Sequence, residues 1–523
     1  MSKGTTGNGN ADLGLRLDRS SRTPLYRQIE GGVREAVAAG RLIAGARLPP
    51  ERTLAAALGV DRTTVVAAYR ELAADGLVHA HVGRGTTVAA GRERFPVQGR
   101  SDLRASGTGR PLDWPQLFAP MVEDDPALAD IAALAGREEV ISFVAGVPAA
   151  ETYPTRTFRS LLAEALGPGG EGLLQYCPPE GYGPLREAIA ARMARLGMPV
   201  PPNRVFICGG SQQGLYLLAR AFIESGDTVA VEAPTYVGAL QVFRAAGARL
   251  VSMPADREGL DPDRLGEMLE RRPIKLIYVL PTFQNPTGAT LSLERRQRLL
   301  AIARRHAVPV IEDDPYSELR YEGEPVPSLL SLADGPTSPV VYLSTFSKVL
   351  FPGFRLGWVV AAPPVIERLA WVKALVDLES NPLAQWAVAE YLDRGEFDGH
   401  LARLVPVYTD RRDALERALR HGAGEMLSWR SPAGGFYLWV HLLGGLRARE
   451  VLTEASRLGV AFVPGDLFHV DGGGRDALRL AFSGLPPDQI EEGVRRFAAA
   501  LTAVAERRAV APGRAPVRPT RIV

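Results

Sequence analysis

Four lysines, at positions 3, 275, 348 and 373, stand against 57 arginines in this chain, so any chemistry that needs a lysine amine has few candidates. Lys348 is the best placed. It follows the apolar run Val340-Val341-Tyr342-Leu343, which reads as a buried strand, and it closes Ser344-Thr345-Phe346-Ser347-Lys348 with Arg355 seven residues on. An amine set among hydroxyls and beside a guanidinium suits a Schiff base formed next to a bound phosphate, with Thr345, Ser347 and Arg355 as donors to the anion. Lys3 lies in a Gly/Thr/Asn-rich start, Lys275 at the beginning of a strand and Lys373 in a helical pattern.

The elements that must position this amine follow from the pattern around it. From Val140 to Ala505 short apolar runs alternate with amphipathic stretches, the signature of an open sheet flanked by helices. Strands are expected at 205–208, 229–232, 276–280, 308–312, 340–343 and 356–360. Polar residues stand just past most of their ends, where open α/β sheets bind ligands. Gly209-Gly210-Ser211-Gln212 joins the first strand to a helix whose amides and dipole can hold a phosphate. Tyr236 could cover a flat ring, and the turn Asn285-Pro286-Thr287-Gly288 aims an amide inward. Asp313, three residues before Tyr316, is a carboxylate that could keep a pyridine nitrogen protonated, while Asn285 and Tyr316 hydrogen-bond the ring's phenolic oxygen. Each of these has a plainer structural reading alone: a tight turn, a core tyrosine, a helix-capping aspartate. As a set with Lys348 and Arg355 they supply every contact that pyridoxal 5'-phosphate requires.

The first ninety residues read differently. Leu25, Ile29, Val33 and Val37 recur at helical spacing after Pro24; Glu51 to Leu58 is a second helix closed by Gly59; Asp61 offers a cap to a third running to Asp75. Helix, tight turn and helix would present Arg62, Thr63 and Thr64 to a major groove, and two short strands around Val82-Gly83-Arg84-Gly85-Thr86 would form a wing that brings Arg84 to phosphate. Residues 11–94 carry 13 arginines against 9 acids, so charge alone makes little case for DNA, and a plain three-helix module stays open on composition. His79 and His81 lack a third partner for a metal, and none is expected.

The strings Leu48-Pro49-Pro50-Glu51-Arg52-Thr53-Leu54-Ala55, Leu58-Gly59-Val60-Asp61-Arg62-Thr63-Thr64-Val65 and Gly83-Arg84-Gly85-Thr86 resemble the winged helix of GntR-family bacterial repressors. That resemblance implies double-stranded operator DNA as partner and Arg52, Arg62, Thr63, Thr64, Gly83 and Arg84 as its contacts. Gln175-Tyr176, Glu180 to Arg186, Asn285 to Gly288, Ser347-Lys348 and Pro352 to Trp358 resemble fold-type-I aminotransferases. The second resemblance implies Ser211 and Gln212 on the cofactor phosphate, Tyr236 stacked on the ring, Asn285, Asp313 and Tyr316 tuning it, and Lys348 holding it covalently. It also implies Arg355 in the phosphate cup, and Tyr176 and Arg479 on the substrate, Arg479 clamping a carboxylate.

A GntR-type winged helix followed by an aminotransferase-like domain resembles the MocR-type regulators. The implied architecture is a small α+β winged helix-turn-helix (11–90), a linker (91–137), a large α/β fold-type-I domain with a smaller C-terminal α+β subdomain (138–505), and a basic tail (506–523). The implied function is a regulator that senses an amino acid or amine as an aldimine with pyridoxal phosphate, and that works as a homodimer. The run Glu312-Asp313-Asp314-Pro315-Tyr316 has the aspartate-to-tyrosine spacing of working aminotransferases, so a transaminase passing an amino group to a 2-oxo acid is the rival reading. Composition fits both: 46% apolar and 23% charged is globular, net charge +2 gives no whole-chain case for nucleic acid, and Cys177 and Cys208 make no disulfide framework. With no apolar stretch of spanning length, no membrane partner is expected and the cytoplasm is the expected location.

Overall fold

The computed structural model describes residues 17–19, 23–38, 41–42, 46–74, 77–81, 85–88, 114, 118 and 126–510, apart from 254, 257, 334, 336 and 337. The chain divides into two compact units, residues 1–117 and 118–523.

In the first unit, helices α1 (Leu25–Ala38), α2 (Glu51–Leu58) and α3 (Arg62–Ala74) are followed by an antiparallel pair, β1 (Val78–His81) and β2 (Gly85–Val88). The turn between α2 and α3 is fixed from both sides. Gly59 ends α2 in the left-handed region at φ 62°, returning its N–H to the carbonyls of Ala55 and Ala56, a conformation that costs glycine nothing. Asp61 then caps α3, its carboxylate accepting from the Thr63 N–H at 2.8 Å and from the Thr63 hydroxyl, which together hold its pKa below the ordinary value. Ile29, Val33, Leu54, Val65, Leu72, Val78 and Val88 share one small core, so helices and wing strands brace each other. Helix, turn, helix and wing stand in the order the sequence predicts.

The second unit opens with α4 (Pro126–Ala135), inside the stretch expected to be linker. Its main sheet has seven strands: β3 (Val205–Cys208), β4 (Thr228–Glu232), β5 (Arg249–Met253), β6 (Leu276–Val279), β7 (Val310–Asp313), β8 (Val340–Thr345) and β9 (Gly357–Val360). Their spatial order is β3-β9-β8-β7-β6-β4-β5, and only β9 runs antiparallel to the rest. Helices cover both faces. Successive residues of a strand therefore enter opposite cores: Ile207, Ala230, Ile277 and Val310 enter one, and Phe206, Val231, Tyr278 and Ile311 the other. Burial on both sides explains why these strands read as unbroken apolar runs. β5 was not expected from the sequence. It lies at the sheet's edge, half-buried and starting at an exposed arginine, so it lacks the continuous apolar signal of its neighbours.

A smaller antiparallel sheet, β10 (Leu427–Trp429), β11 (Tyr437–Leu442), β12 (Val463–Pro464) and β13 (Ala477–Ala481), in the order β10-β11-β13-β12, forms the C-terminal subdomain. The last helix, α5 (Pro487–Val510), reaches beyond the expected start of the basic tail at 506. The reason is electrostatic: Arg507 donates to Glu454 at 2.6 Å and Arg508 to Glu450 at 3.0 Å, so the first two arginines of that run anchor a helix end. Residues 511–523, with the remaining tail arginines, lie outside the described residues.

Candidate active site

The carboxyl ends of the parallel strands bring the expected residues together. The helix Ser211–Phe222 starts directly after β3 and the glycine pair 209–210, so its N-terminal amides face the sheet's ligand-binding edge with the positive end of the helix dipole. Gly210 sits at φ 84°, and a Cβ there would stand 2.8 Å from Nη2 of Arg355, so glycine is needed for the close approach of that guanidinium. Arg355 donates to the Gly209 carbonyl at 2.9 Å. Thr345 and Ser347 are buried and mutually bonded at 2.9 Å, and the Thr345 oxygen also accepts from the Ser347 N–H. Thr345 therefore organises the turn that carries Ser347 and Lys348. Lys348, half-buried, donates from Nζ to the Gly146 carbonyl at 2.8 Å.

Asp313 ends β7 and is 2% exposed. Its Oδ2 accepts from the Tyr278 hydroxyl at 2.6 Å, while Oδ1 has no partner among the described residues. Burial pushes this carboxyl up to about 7; Asp314 adds to the rise, and the Tyr278 hydrogen bond and Lys348 oppose it. A buried carboxylate oxygen without a donor is costly, and a protonated ring nitrogen would satisfy it. Tyr316 is buried with its hydroxyl 3.1 Å from that of Tyr437. Tyr236, at the start of a helix after β4, donates to Gln212 Oε1 at 3.0 Å, so the candidate ring-stacking and phosphate-side residues are already joined.

Asn285 and Arg479 depart from the expectation that each meets a different part of the ligand. Nη1 of Arg479 donates to Asn285 Oδ1 at 2.9 Å and Nη2 donates to the Val144 carbonyl, leaving Nε with no partner among the described residues. The guanidinium lies 4.3 Å from the centre of the Tyr437 ring. Arg479 is thus a pre-oriented cation at one wall of the site, with Asn285 as its brace. Tyr176 is 78% exposed, and none of the hydrogen bonds or ring contacts that join the other site residues includes it.

Sequence reasoning missed Tyr437, Tyr278, Gly146 and the role of Lys373. Tyr437 receives the Tyr316 hydrogen bond and lies under Arg479; burial works to raise its pKa, but Arg479 and Lys348 overcome that and hold it below the ordinary tyrosine value. A Cβ on Gly146 would fall 2.1 Å from the Tyr437 hydroxyl, so only glycine lets that segment pass and offer its carbonyl to Lys348. Tyr437 follows Gly434-Gly435-Phe436, and nothing in that spacing marks the tyrosine as reaching the sheet's edge. Lys373 is fully buried and donates to Gln213 Oε1 at 3.0 Å and to Asp377 at 2.9 Å, while the same Gln213 oxygen accepts the Gly209 N–H at 2.6 Å. A buried cation thereby fixes the glycine turn from beneath. Lys373→Met should weaken pyridoxal phosphate binding by about 1–3 kcal/mol, the cost of unmet hydrogen bonds to a charged group. Equilibrium dialysis of the variant checks this, and an unchanged dissociation constant would show that the turn holds without it.

In the first unit, Arg52, Arg62 and Thr63 are exposed and Thr64 half-buried, all within α2 and the first turn of α3. Arg62 is not an unattached cation: Nε and Nη2 both donate to Glu51 Oε2, at 3.1 and 2.9 Å. Gly83 and Arg84 lie outside the described residues. Among the described residues no group of three or more His, Cys, Asp or Glu could hold a metal ion.

The pattern of aminotransferase class I and II matches residues 140–497, and that of the gntR family of bacterial regulatory proteins matches residues 25–88. The chain belongs to the class I and II aminotransferases, in the MocR-type arrangement. The probable rhizopine catabolism regulatory protein MocR of Rhizobium meliloti is 30% identical over 97% of this chain and 99% of its own length. Aromatic-amino-acid aminotransferase 1 of Thermococcus litoralis is 38% identical over 71% of this chain and 90% of its own. The multiple substrate aminotransferase of Thermococcus profundus superposes with a TM-score of 0.71 at 36% identity, covering 76% of this chain and all of that one. Pyridoxal 5'-phosphate is the cofactor of this MocR-type chain, and the residues present fit it. A half-buried amine, an orphaned buried carboxylate oxygen and a glycine turn at a helix N-terminus are the three things its aldehyde, ring nitrogen and phosphate call for.

Proposed function

We propose that this protein is a transcriptional regulator that binds operator DNA through its winged helix and responds to an amino acid or amine taken up at the cofactor. One observation carries the reading: a GntR-type helix-turn-helix with a capped recognition helix is joined to a domain in which the whole cofactor set converges. When bound, the cofactor supplies an aldehyde that couples to primary amines and a ring that draws electrons. The chain's own residues do the rest. Lys348 holds or releases a proton at Nζ, Asp313 keeps the ring nitrogen charged, Tyr236 covers the ring, and Arg479 grips a carboxylate through the donor capacity that Asn285 and Val144 leave open.

A homodimer is part of this proposal. Trp371, Leu375 and Leu378 are 57%, 69% and 52% exposed, as are Leu174 at 66% and Tyr176 at 78%. The two stretches adjoin, because the Cys177 N–H donates to Glu379. Exposed apolar side chains of this size are what a second copy would cover, and two winged helices would then reach two half-sites. Among the described residues no helix is long and apolar enough to cross a membrane; action in the cytoplasm, at the operator, is proposed with the rest.

The transaminase reading keeps support from the same geometry, since Asp313, Tyr316 and Lys348 are all in place. Mixing the loaded protein with amino donors and following conversion of the cofactor to its amine form separates the two; rapid conversion, reversed by a 2-oxo acid, would favour the enzyme. For DNA, Arg62→Ala should cost about 1–3 kcal/mol of operator binding and relax preference at one base position. Titration against operator selected from random DNA measures it, and a chain that selects no sequence at all would end the regulator reading.

A further inference from the structure

The amino ends of four parallel strands, neighbours in the order β7-β6-β4-β5, make the edge of the main sheet opposite the cofactor residues. The leads into them are tied together: Lys275 donates its N–H to the Thr228 carbonyl at 2.8 Å, Arg249 to that of Asp227 at 2.7 Å and Ile277 to that of Pro309 at 3.0 Å. Whatever the segments 220–228, 244–249, 267–275 and 304–309 carry therefore stands side by side. They carry eight arginines and lysines against four acids, an excess of four in a chain whose net charge is +2.

Most of this charge is unmatched locally. Arg220, Arg249, Arg272, Lys275, Arg304 and Arg305 are exposed, and none of their side chains makes an ion pair or hydrogen bond with a described residue. One helix, Leu293–His306, shows the contrast. Arg295 and Arg298 in its first half pair with Asp256 and Asp263 at 2.7 and 2.9 Å, whereas Arg304 and Arg305 in its last turn pair with no described residue. The acids nearby are partly taken: Arg271 reaches Glu267 at 3.8 Å, and Asp227 accepts the Glu224 N–H at 2.9 Å. A helix dipole favours cations in a last turn, which suits Arg220, Arg304 and Arg305. It does not account for Arg249, the first residue of β5, or for Lys275, just before β6. None of these residues lies in the stretches offered above to a second copy.

A row of cations calls for a row of anions. Strands about 4.8 Å apart spread the four leads over about 15 Å, a length along which a DNA duplex presents about nine phosphates. The cations do not converge on one point, as a small anion would need, and five of the six are arginines, whose planar fork matches phosphate oxygens. Duplex is also the polyanion that a bound winged helix keeps at high local concentration beside the same chain. We propose that this edge of the large unit is a second duplex contact, holding phosphates that flank the operator through Arg249, Arg272, Lys275, Arg304 and Arg305. This rests on the reading that the winged helix binds operator DNA. It goes further by making the aminotransferase-like unit a direct DNA contact, one that adds grip and no base preference.

The test uses the full-length protein loaded with pyridoxal phosphate and an operator selected from random DNA. The operator is cut in two lengths: the bases the winged helix protects, and the same bases with about 30 base pairs, roughly 100 Å, on either side. Wild type should bind the long duplex about tenfold or more tighter at low salt, with the slope of log K against log salt steeper by about 2 to 4, at about 0.9 per phosphate engaged. The variant combining Arg272→Gln, Lys275→Gln, Arg304→Gln and Arg305→Gln should lose that difference, while binding the short duplex as wild type does and selecting the same bases. These side chains are exposed and unpartnered, so the fold should not depend on them, and the cofactor's spectrum and the thermal transition check that. If wild type shows the same slope on both lengths, if the variant keeps the steep slope on the long one, or if it loses as much on the short one, the inference is overturned while operator binding stands. If the chain selects no operator at all, that reading fails and the inference falls with it.

Discussion

Lys348→Ala should lose the cofactor's covalent attachment altogether: after borohydride reduction and denaturation, wild type keeps pyridoxal on the peptide that contains Lys348, and the variant keeps it nowhere. The other lysines among the described residues cannot stand in. Lys373 is fully buried beneath the phosphate-side turn and engaged by Gln213 and Asp377, and Lys275 is exposed at the foot of β6. Lys3 lies outside the described residues. Any proton transfer at the ligand's α-carbon should slow by about 10²- to 10⁴-fold, the usual contribution of one positioned acid–base group. Operator affinity without ligand should be unchanged, since the winged helix folds on its own core, whereas the response to an added amine should disappear. A variant that still carries the cofactor covalently would move the attachment to another residue. A variant that still responds to the amine as wild type does would remove Schiff-base formation from the signal.

Asp313→Asn should separate holding the cofactor from using it. The Tyr278 hydroxyl can still donate to an amide oxygen, and the phosphate-side contacts from the glycine turn, Ser347 and Arg355 are untouched, so binding should fall little. The neutral amide cannot keep a ring nitrogen protonated. Conversion of the cofactor to its amine form should therefore slow by about a hundredfold or more, the scale of removing one preorganised charge from a buried site. Stopped-flow absorbance gives that rate, and equilibrium dialysis gives the affinity. Equal losses in both would mean that Asp313 merely anchors the ring.

Most of the frame that carries these residues could be read from the chain. Six strands of the main sheet announce themselves because both faces are buried, and the polar residues that follow them stand out against that apolar background. The edge strand Arg249–Met253 escaped because one-sided burial leaves a mixed pattern. Lys348, Asp313 and Arg355 were legible for a further reason: a lysine just past one buried strand, an acid closing another and an arginine just before a third stand out at the ends of an apolar sheet. Tyr437 was not, since a tyrosine in an apolar strand looks like core, and only the fold brings β11 to within 3.1 Å of Tyr316. Nor could spacing show that Asn285 and Arg479, 194 residues apart, are bonded to each other. Sequence reading gave them separate ligand contacts because it had no view of side chains competing for one another.

Competition of that kind also bears on how the first unit discriminates among DNA sequences. Arg62 is held by Glu51 through two hydrogen bonds to one oxygen, and the pair is exposed, with side-chain accessibilities of 55% and 34%. Exposed ion pairs of this sort contribute about 0–1 kcal/mol, so a well-placed guanine edge can take the arginine away at little cost. A passing phosphate offers less, and must first outbid a carboxylate already in position. Because Arg62 is partly neutralised before DNA arrives, its transfer also displaces fewer condensed cations than an unpaired arginine would. If Arg62 makes the proposed base contact, Glu51 would act as a decoy, lowering the duplex's grip wherever the sequence is wrong and yielding only where the base offers two acceptors in the right place.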